Sequence, residues 1–288
     1  MSLAQTVRTA KDATGDALWC AIDAAMQAYL RLRQICLATD DLPRAAADII
    51  AIFGVGLAHE DPDLAAYGVR NAVFPFGLSF IELVAPVRED TAAARFVRRG
   101  ARRGAYMAIF NCDDARLRRD RMLALDMRIV AEIDREDFYA VQLHPRDCRA
   151  TMIEFDRTTG EEDLRGPYFA AGGPGWTRAL RTDVTQGIAE VVVESPTPLA
   201  LCAHWARILD RPALERDGHG TIDVDLCRLR FVTGPAEALT TVAVQVADVD
   251  AVLTRATGRG YAVADRQELD LGGVRFRLDP VGGAALEP

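Results

Sequence analysis

Four times along this 288-residue chain a short apolar strand runs into an acidic or proline-bearing turn, then an amphipathic helix, then further strands. A repeat of this kind settles the architecture before any single motif is weighed. The openings are Leu32–Asp41, Ala105–Asp114, Ile188–Glu194 and Thr241–Asp248, and the closings, with period-two alternation, are Ser79–Val84, Thr151–Phe155, Arg228–Phe231 and Val274–Leu278. Helix punctuation supports the reading: Asp40 or Asp41 as cap, Pro43 in the first turn and Gly54 as stop, then Ser195 or Thr197 as cap, and for the fourth helix, through Leu253, a stop near Gly258 or Gly260. Equivalent opening and closing positions (34 to 82, 107 to 154, 190 to 230, 241 to 277) lie 48, 47, 40 and 36 residues apart. Each unit therefore reads β-α-β-β-β, and the chain is predicted to be α+β, with four such modules in two tandem domains.

The expected boundaries are an N-terminal helical extension over residues 1–30, a first domain over 31–157 (modules 31–100 and 104–157), a turn-rich linker over 158–185 and a second domain over 186–288 (modules 186–235 and 239–288). A module of this type has one sheet face covered by its helix and one left concave, so paired modules would form a cup around a cavity.

Composition excludes several functions. The net charge of −8 argues against a nucleic-acid or anionic-membrane surface as the main partner. The longest apolar run, Ile49–Ala58, is too short to span a bilayer. Residues 1–14 lack the order of regions that marks a signal peptide, and the six cysteines are scattered without a C-x-x-C. Free thiols and a cytoplasmic location are the expectations. Lys11 is the only lysine among 34 basic residues, which leaves almost no route to Schiff-base chemistry. Gly-rich phosphate loops, G-x-S-x-G and histidine pairs at ligand spacing are missing from the sequence.

The segments Gln34-Ile-Cys-Leu-Ala-Thr-Asp-Asp-Leu42, Ile81-Glu-Leu-Val-Ala-Pro86, Gln142-Leu-His-Pro-Arg-Asp147 and Met152-Ile-Glu-Phe155 resemble the vicinal oxygen chelate superfamily. That superfamily includes glyoxalase I, methylmalonyl-CoA epimerase, bleomycin-resistance proteins and extradiol dioxygenases. The motifs are closest to the glyoxalase and epimerase branch. The resemblance covers about residues 31–156 and continues by pattern through 186–280.

It implies that one residue from each opening and closing strand faces into the cup and binds a divalent metal. Carried over position by position, these are Gln34, Glu82, Met107 and Glu154. Gln34, Glu82 and Glu154 are suitable oxygen ligands for Zn, Ni, Mn, Mg or Fe, and Glu82 or Glu154 would double as catalytic base. Met107 stands where the family has histidine, and a thioether is a poor ligand for these ions. Period two turns its neighbour Tyr106 to the opposite face. The implied function is a glyoxalase- or epimerase-like lyase or isomerase acting on a small α-oxo or acyl substrate through a metal-stabilised enediolate. The alternative is a non-catalytic small-molecule binder of the bleomycin-resistance type with a degenerate metal site, its carboxylates neutralised by protonation or by Arg33 or Arg149. An extradiol dioxygenase would need two histidines that are not at the expected positions.

In the second cup the same carry-over gives Glu190, Arg230, Thr241 and Arg277. Arginines at these positions would repel a cation. Arg230, Arg277 and Glu190 are candidates for binding an anionic substrate, unless internal pairing satisfies them. A small molecule is the expected partner, with a homodimer possible. His144, before Pro145 at a strand end, is expected to set the turn.

Overall fold

Alternation of apolar and polar residues lets each strand offer one face to a core and the other to a site. A computed structural model describes residues 29–100, 104–264 and 267–282. The expected N-terminal helix lies outside these residues, apart from its last two positions. In the first half the order is β1 (Leu30–Ala38), α1 (Leu42–Phe53), β2 (Val69–Phe76), β3 (Ser79–Pro86), α2 (Ala92–Val97), β4 (Met107–Cys112), α3 (Ala115–Ala124), β5 (Ile129–Asp134), β6 (Phe138–Leu143), α4 (Pro145–Cys148) and β7 (Met152–Thr158). The second half has β8 (Thr185–Ser195), α5 (Pro198–Leu209), β9 (Leu214–Arg216), β10 (His219–Val224), β11 (Cys227–Thr233), β12 (Ala238–Val246), α6 (Val249–Gly258), β13 (Val263–Ala264), β14 (Glu268–Leu271) and β15 (Val274–Pro280). Two mixed sheets result, ordered β2-β3-β1-β4-β7-β6-β5 and β13-β14-β15-β12-β8-β11-β10-β9. The fold is that of two tandem α+β domains, each with two modules joined through their opening strands.

Capping follows the residue types in α1 and α6 but not in α5, where Thr197 holds the cap position without a side-chain hydrogen bond and Ser195 accepts only from the Thr197 amide. Asp41 accepts from the Arg44 amide at 3.1 Å, and Gly54 ends α1 in the left-handed region at φ 65°. Asp248 caps α6 through the Ala251 amide at 2.9 Å. The first module departs from the repeat in one respect. Its first strand after the helix shrinks to a single bridge, His59 opposite Val73, because Pro62 turns the chain into a 3-10 segment, Pro62–Tyr67.

Registers preserve a pseudo-twofold relation within each sheet. Between β1 and β4, Gln34 faces Ile109 and Cys36 faces Met107; Cys36 then adjoins Glu82 of β3, and Ile109 adjoins Glu154 of β7. In the second sheet Val192 adjoins Arg230 and Ala243 adjoins Arg277, the same offset from Glu190 and Thr241. The carry-over positions are thus structural equivalents in all four modules.

One apolar core runs through both domains, including Leu37, Ile49, Phe110 and Phe155 from the first and Val193, Trp205, Phe231 and Phe276 from the second. Phe53 and Phe76 pack their rings on Phe276, with centroids 5.0 and 6.3 Å away. The helix-covered faces therefore meet, and the concave faces point away from each other. Polar contacts secure this interface: buried Asp48 of α1 accepts from Arg259 Nε and the Tyr261 hydroxyl, both at 2.6 Å, and Trp205 Nε1 donates to the Cys148 carbonyl at 2.9 Å. Gly77, at φ 66°, turns β2 into β3 so close to the Gln186 carbonyl that a Cβ would lie 2.1 Å from it. The five described cysteines are free and buried; Cys20 lies outside the described residues. Among the described residues no helix is long and apolar enough to cross a membrane.

Candidate active site

The concave face of the first sheet carries the carry-over residues. β1 loses its register against β4 between Leu32 and Gln34, and this irregularity turns the consecutive residues Arg33 and Gln34 to the same side. Gln34 Nε2 donates to Glu82 Oε2 at 3.0 Å, and Asn71 Nδ2 donates to Glu82 Oε1 at 2.7 Å. Glu154 Oε2 accepts from Gln142 Nε2 at 2.7 Å. Both glutamates are buried, at 9% and 6% exposure. Removal from water pushes the Glu82 carboxyl up, and burial together with the charge of Asp156 pushes Glu154 up to about 8.

Met107 lies on this face too, but in an apolar cluster with Cys36, Val84 and Ile109. Tyr106 packs on the same cluster, contrary to the alternation argument. The reason is that β4 begins only at Met107, so strand periodicity does not reach Tyr106. Neither arginine proposed as neutralising partner contacts Glu82 or Glu154. Arg149 forms a bidentate pair with Glu237, and Arg33 lies near Asp156 instead, where its charge only partly offsets the burial that pushes that carboxyl up to about 6.

The donor set can be tested against a divalent ion. Gln34 Oε1 is buried with no hydrogen-bond partner, and a cation would satisfy such an orphaned acceptor. With Glu82 and Glu154 it makes a hard oxygen set of the kind these ions prefer. Binding would exchange the amide N–H contact on Glu82 for oxygen contacts from both side chains. Three of the four positions fit an ion and Met107 does not. Among the described residues no three His, Cys, Asp or Glu side chains form a ligand cluster, so any such site depends on the Gln34 amide.

The segment between the sheets does more than join them. It lies against the concave face, putting fully buried Tyr168 and Trp176 on Phe80 at centroid distances of 5.1 and 5.0 Å. The Arg33 guanidinium sits in this aromatic cage and donates from Nη2 to the Leu164 carbonyl at 2.7 Å. Beneath it, Tyr168 donates to Asp156 Oδ2 at 3.0 Å, while Asn111 Nδ2 donates to both Asp156 and Glu161. Phe96 and Val97 of the α2 segment cover the other end of the face. What stays open is a cavity of about 400 Å³ beside Phe96, Tyr106, Gln142 and Met152.

Glu161 makes the segment pH-sensitive. Its carboxyl accepts from Asn111, the Thr158 amide and the Tyr29 hydroxyl, yet burial and the neighbouring Asp156 push it upward, toward about 7. A raised folded-state value means that the folded chain holds this proton more tightly than the unfolded one. Its contribution is complete below the ordinary glutamate value and declines as pH rises toward 7. The unfolding free energy from urea titration should therefore fall between pH 5 and 7.5, by on the order of 2 kcal/mol from this group. Glu161→Gln should flatten that slope; an unchanged slope in the variant would contradict the assignment.

In the second sheet, Glu190 Oε1 accepts from Arg230 Nε at 3.0 Å and Arg277 Nη1 at 3.2 Å, and Arg277 also grips Asp279 with two bonds of 2.9 Å. Arg216 and Arg228 share Asp223. The three predicted residues come together as a matched network. His144 caps α4, its Nδ1 accepting from the Arg146 amide at 3.1 Å.

Asn71, Gln142 and the covering segment escaped the sequence reading. Asn71 and Gln142 lie on strands that the ligand carry-over does not use. Their signal was a side-chain amide one strand away from each site glutamate.

Among known proteins, the ethylmalonyl-CoA/methylmalonyl-CoA epimerase of Cereibacter sphaeroides is 26% identical over 133 residues, 44% of this chain and 97% of that one. A hypothetical protein from Staphylococcus aureus has a similar structure, with a TM-score of 0.61 at 13% identity over 88% of this chain and 99% of that one. A variant of 4-hydroxymandelate synthase from Streptomyces coelicolor follows at 0.56 and 16% identity, covering 80% of this chain and 75% of that one. These likenesses show the fold. The family model described as a glyoxalase-like domain matches residues 35–209, and with more than half of its length so matched, the chain belongs to the glyoxalase-like family of the vicinal oxygen chelate superfamily.

Proposed function

We propose that the first concave face is the active site of an epimerase- or isomerase-like enzyme that moves a proton on the carbon beside a carbonyl of a small acyl or α-oxo substrate. The observation that carries this reading is the pair of buried carboxyls on one concave face, each held by a side-chain amide, with one of the amides, Gln142, lining the open cavity. Likeness to an epimerase over 97% of that protein's length, and 44% of this chain, supports it. A divalent ion held by Gln34, Glu82 and Glu154 would polarise the substrate carbonyl. The chain's own groups do the rest. Glu154 takes and returns the proton, Gln142 fixes its carboxyl, and the Tyr168–Trp176 cover keeps water from the face.

The test follows solvent deuterium. Methylmalonyl-CoA and a hemithioacetal of methylglyoxal would be incubated with the full chain and Mn²⁺ or Zn²⁺ in D₂O and watched by proton NMR. Loss of the α-proton signal faster than in protein-free buffer is the expected result. Exchange at the buffer rate for both would overturn the reading. The second reading would then stand, a non-catalytic small-molecule binder, which the filling of the face by Phe96, Tyr168 and Trp176 favours. On either reading Arg230, Arg277 and Glu190 are free to serve an anionic ligand only if it displaces Glu190 or Asp279. Charge reversal at Arg230 would separate lost binding from lost stability.

A further inference from the structure

Several arginines in this chain are matched by carboxylates: Arg230 and Arg277 by Glu190, Arg216 and Arg228 by Asp223, Arg259 by Asp48. Arg99 and Arg146, like Arg70, Arg165 and Arg178, are not among them. Arg99 and Arg146 are both exposed, and among the described residues neither has a carboxylate partner. They line one cavity of about 500 Å³ together with His144 and Arg149. The cavity of about 400 Å³ described above shares Arg99, His144 and Arg149 with it and extends past Arg95 to Gln142. Among the described residues no carboxylate lines either space, although the chain as a whole is at −8.

The donors are also oriented. His144 Nδ1 already accepts from the Arg146 amide, so the ring's proton lies on Nε2, where it is available to an acceptor. Arg149 is held by Glu237 and Arg95 by the Asp90 carbonyl at 2.7 Å, which fixes the walls and leaves Arg99 and Arg146 as the uncommitted cations. The Arg99 guanidinium is steadied over the Phe96 ring, 5.1 Å from its centroid. Two free guanidiniums and an N–H donor in a carboxylate-free groove suit a phosphoryl dianion, which accepts several charge-assisted hydrogen bonds at once. A positive groove in an acidic protein also concentrates such an anion against the general field.

We propose that this groove holds a phosphate-bearing end of the substrate, gripped by Arg99, Arg146 and His144, with the reacting end at Gln142 beside Glu154. Its role as a substrate handle rests on the function proposed above; the binding itself does not, and is measured without turnover.

The experiment is calorimetric titration of the full chain with inorganic pyrophosphate, and separately with malonate, for wild type, the double variant Arg99→Ala/Arg146→Ala and Arg216→Ala. Both groove arginines are exposed, so the double variant should melt like wild type. Pyrophosphate should bind wild type and Arg216→Ala alike and bind the double variant about tenfold or more weakly. Its affinity should fall as salt rises. No pyrophosphate binding, or equal binding by the double variant, would overturn the site. Malonate binding as tightly as pyrophosphate would overturn the phosphate assignment. Pyrophosphate bound without any α-proton exchange would sink the proposed reaction and keep the groove; exchange without pyrophosphate binding would do the reverse.

Discussion

Glu154→Gln should slow α-proton exchange by about a hundred- to ten-thousand-fold, the range expected when a general acid or base is lost. Gln at this position keeps an oxygen to accept from Gln142 and fills the same volume, so packing around β7 should persist. The variant should accordingly express, fold and keep its near-UV spectrum while losing the reaction. Gln142→Ala is the graded companion. It leaves the carboxyl in place but unheld at the cavity wall, and should lower the rate less than Glu154→Gln does. Full activity in Glu154→Gln would move the proton transfer elsewhere.

Trp176→Ala should destabilise the chain by about 3–5 kcal/mol, the range for deleting a large buried aromatic. Trp176 has no exposed surface, meets Phe80 edge to face, and donates from Nε1 to the Gly166 carbonyl at 2.9 Å. Its loss opens a void and removes one wall of the cage around the Arg33 guanidinium, whose Nε and Nη1 already lack partners. Were residues 158–185 only a spacer, the change would stay within about 0.5 kcal/mol, as for surface positions. Urea unfolding at pH 5, where Glu161 is protonated, separates the two outcomes cleanly.

Much of the architecture was legible because repetition multiplies weak signals. A single strand-turn-helix pattern decides little, but four in the same order fix module count, element order and the equivalence of positions 34, 107, 190 and 241. The registers bear this out down to the two-residue offset between opening and closing positions. Strict alternation misled at Tyr106, and it breaks down at Arg33 as well. The irregularity at Arg33 puts adjacent residues on one face, and Tyr106 lies just before its strand. Alternation is a property of regular strand, and sites are where strands stop being regular.

The covering segment was hidden for a different reason. Gly172-Gly-Pro-Gly175 has the composition of a spacer, and nothing local says that Tyr168 and Trp176 on either side will be buried. That depends on a concave sheet far earlier in the chain supplying Phe80 and Arg33. The first-cup carry-over brought Gln34 and Glu82 into contact and set Glu154 on the same face, but the amides that hold the carboxyls, Asn71 and Gln142, emerge only when the strands are laid side by side.

Metal content of the full chain, by elemental analysis after equilibration with Mn²⁺ or Zn²⁺ and gel filtration, decides whether the first concave face holds an ion. Gln34, Glu82 and Glu154 should retain one ion per wild-type chain; Glu82→Gln should lose it, and Met107→His, by restoring an imidazole at the equivalent of Gln34, should hold it more tightly. Wild type and Met107→His both retaining no more ion than Glu82→Gln would contradict a metal site at Gln34, Glu82 and Glu154.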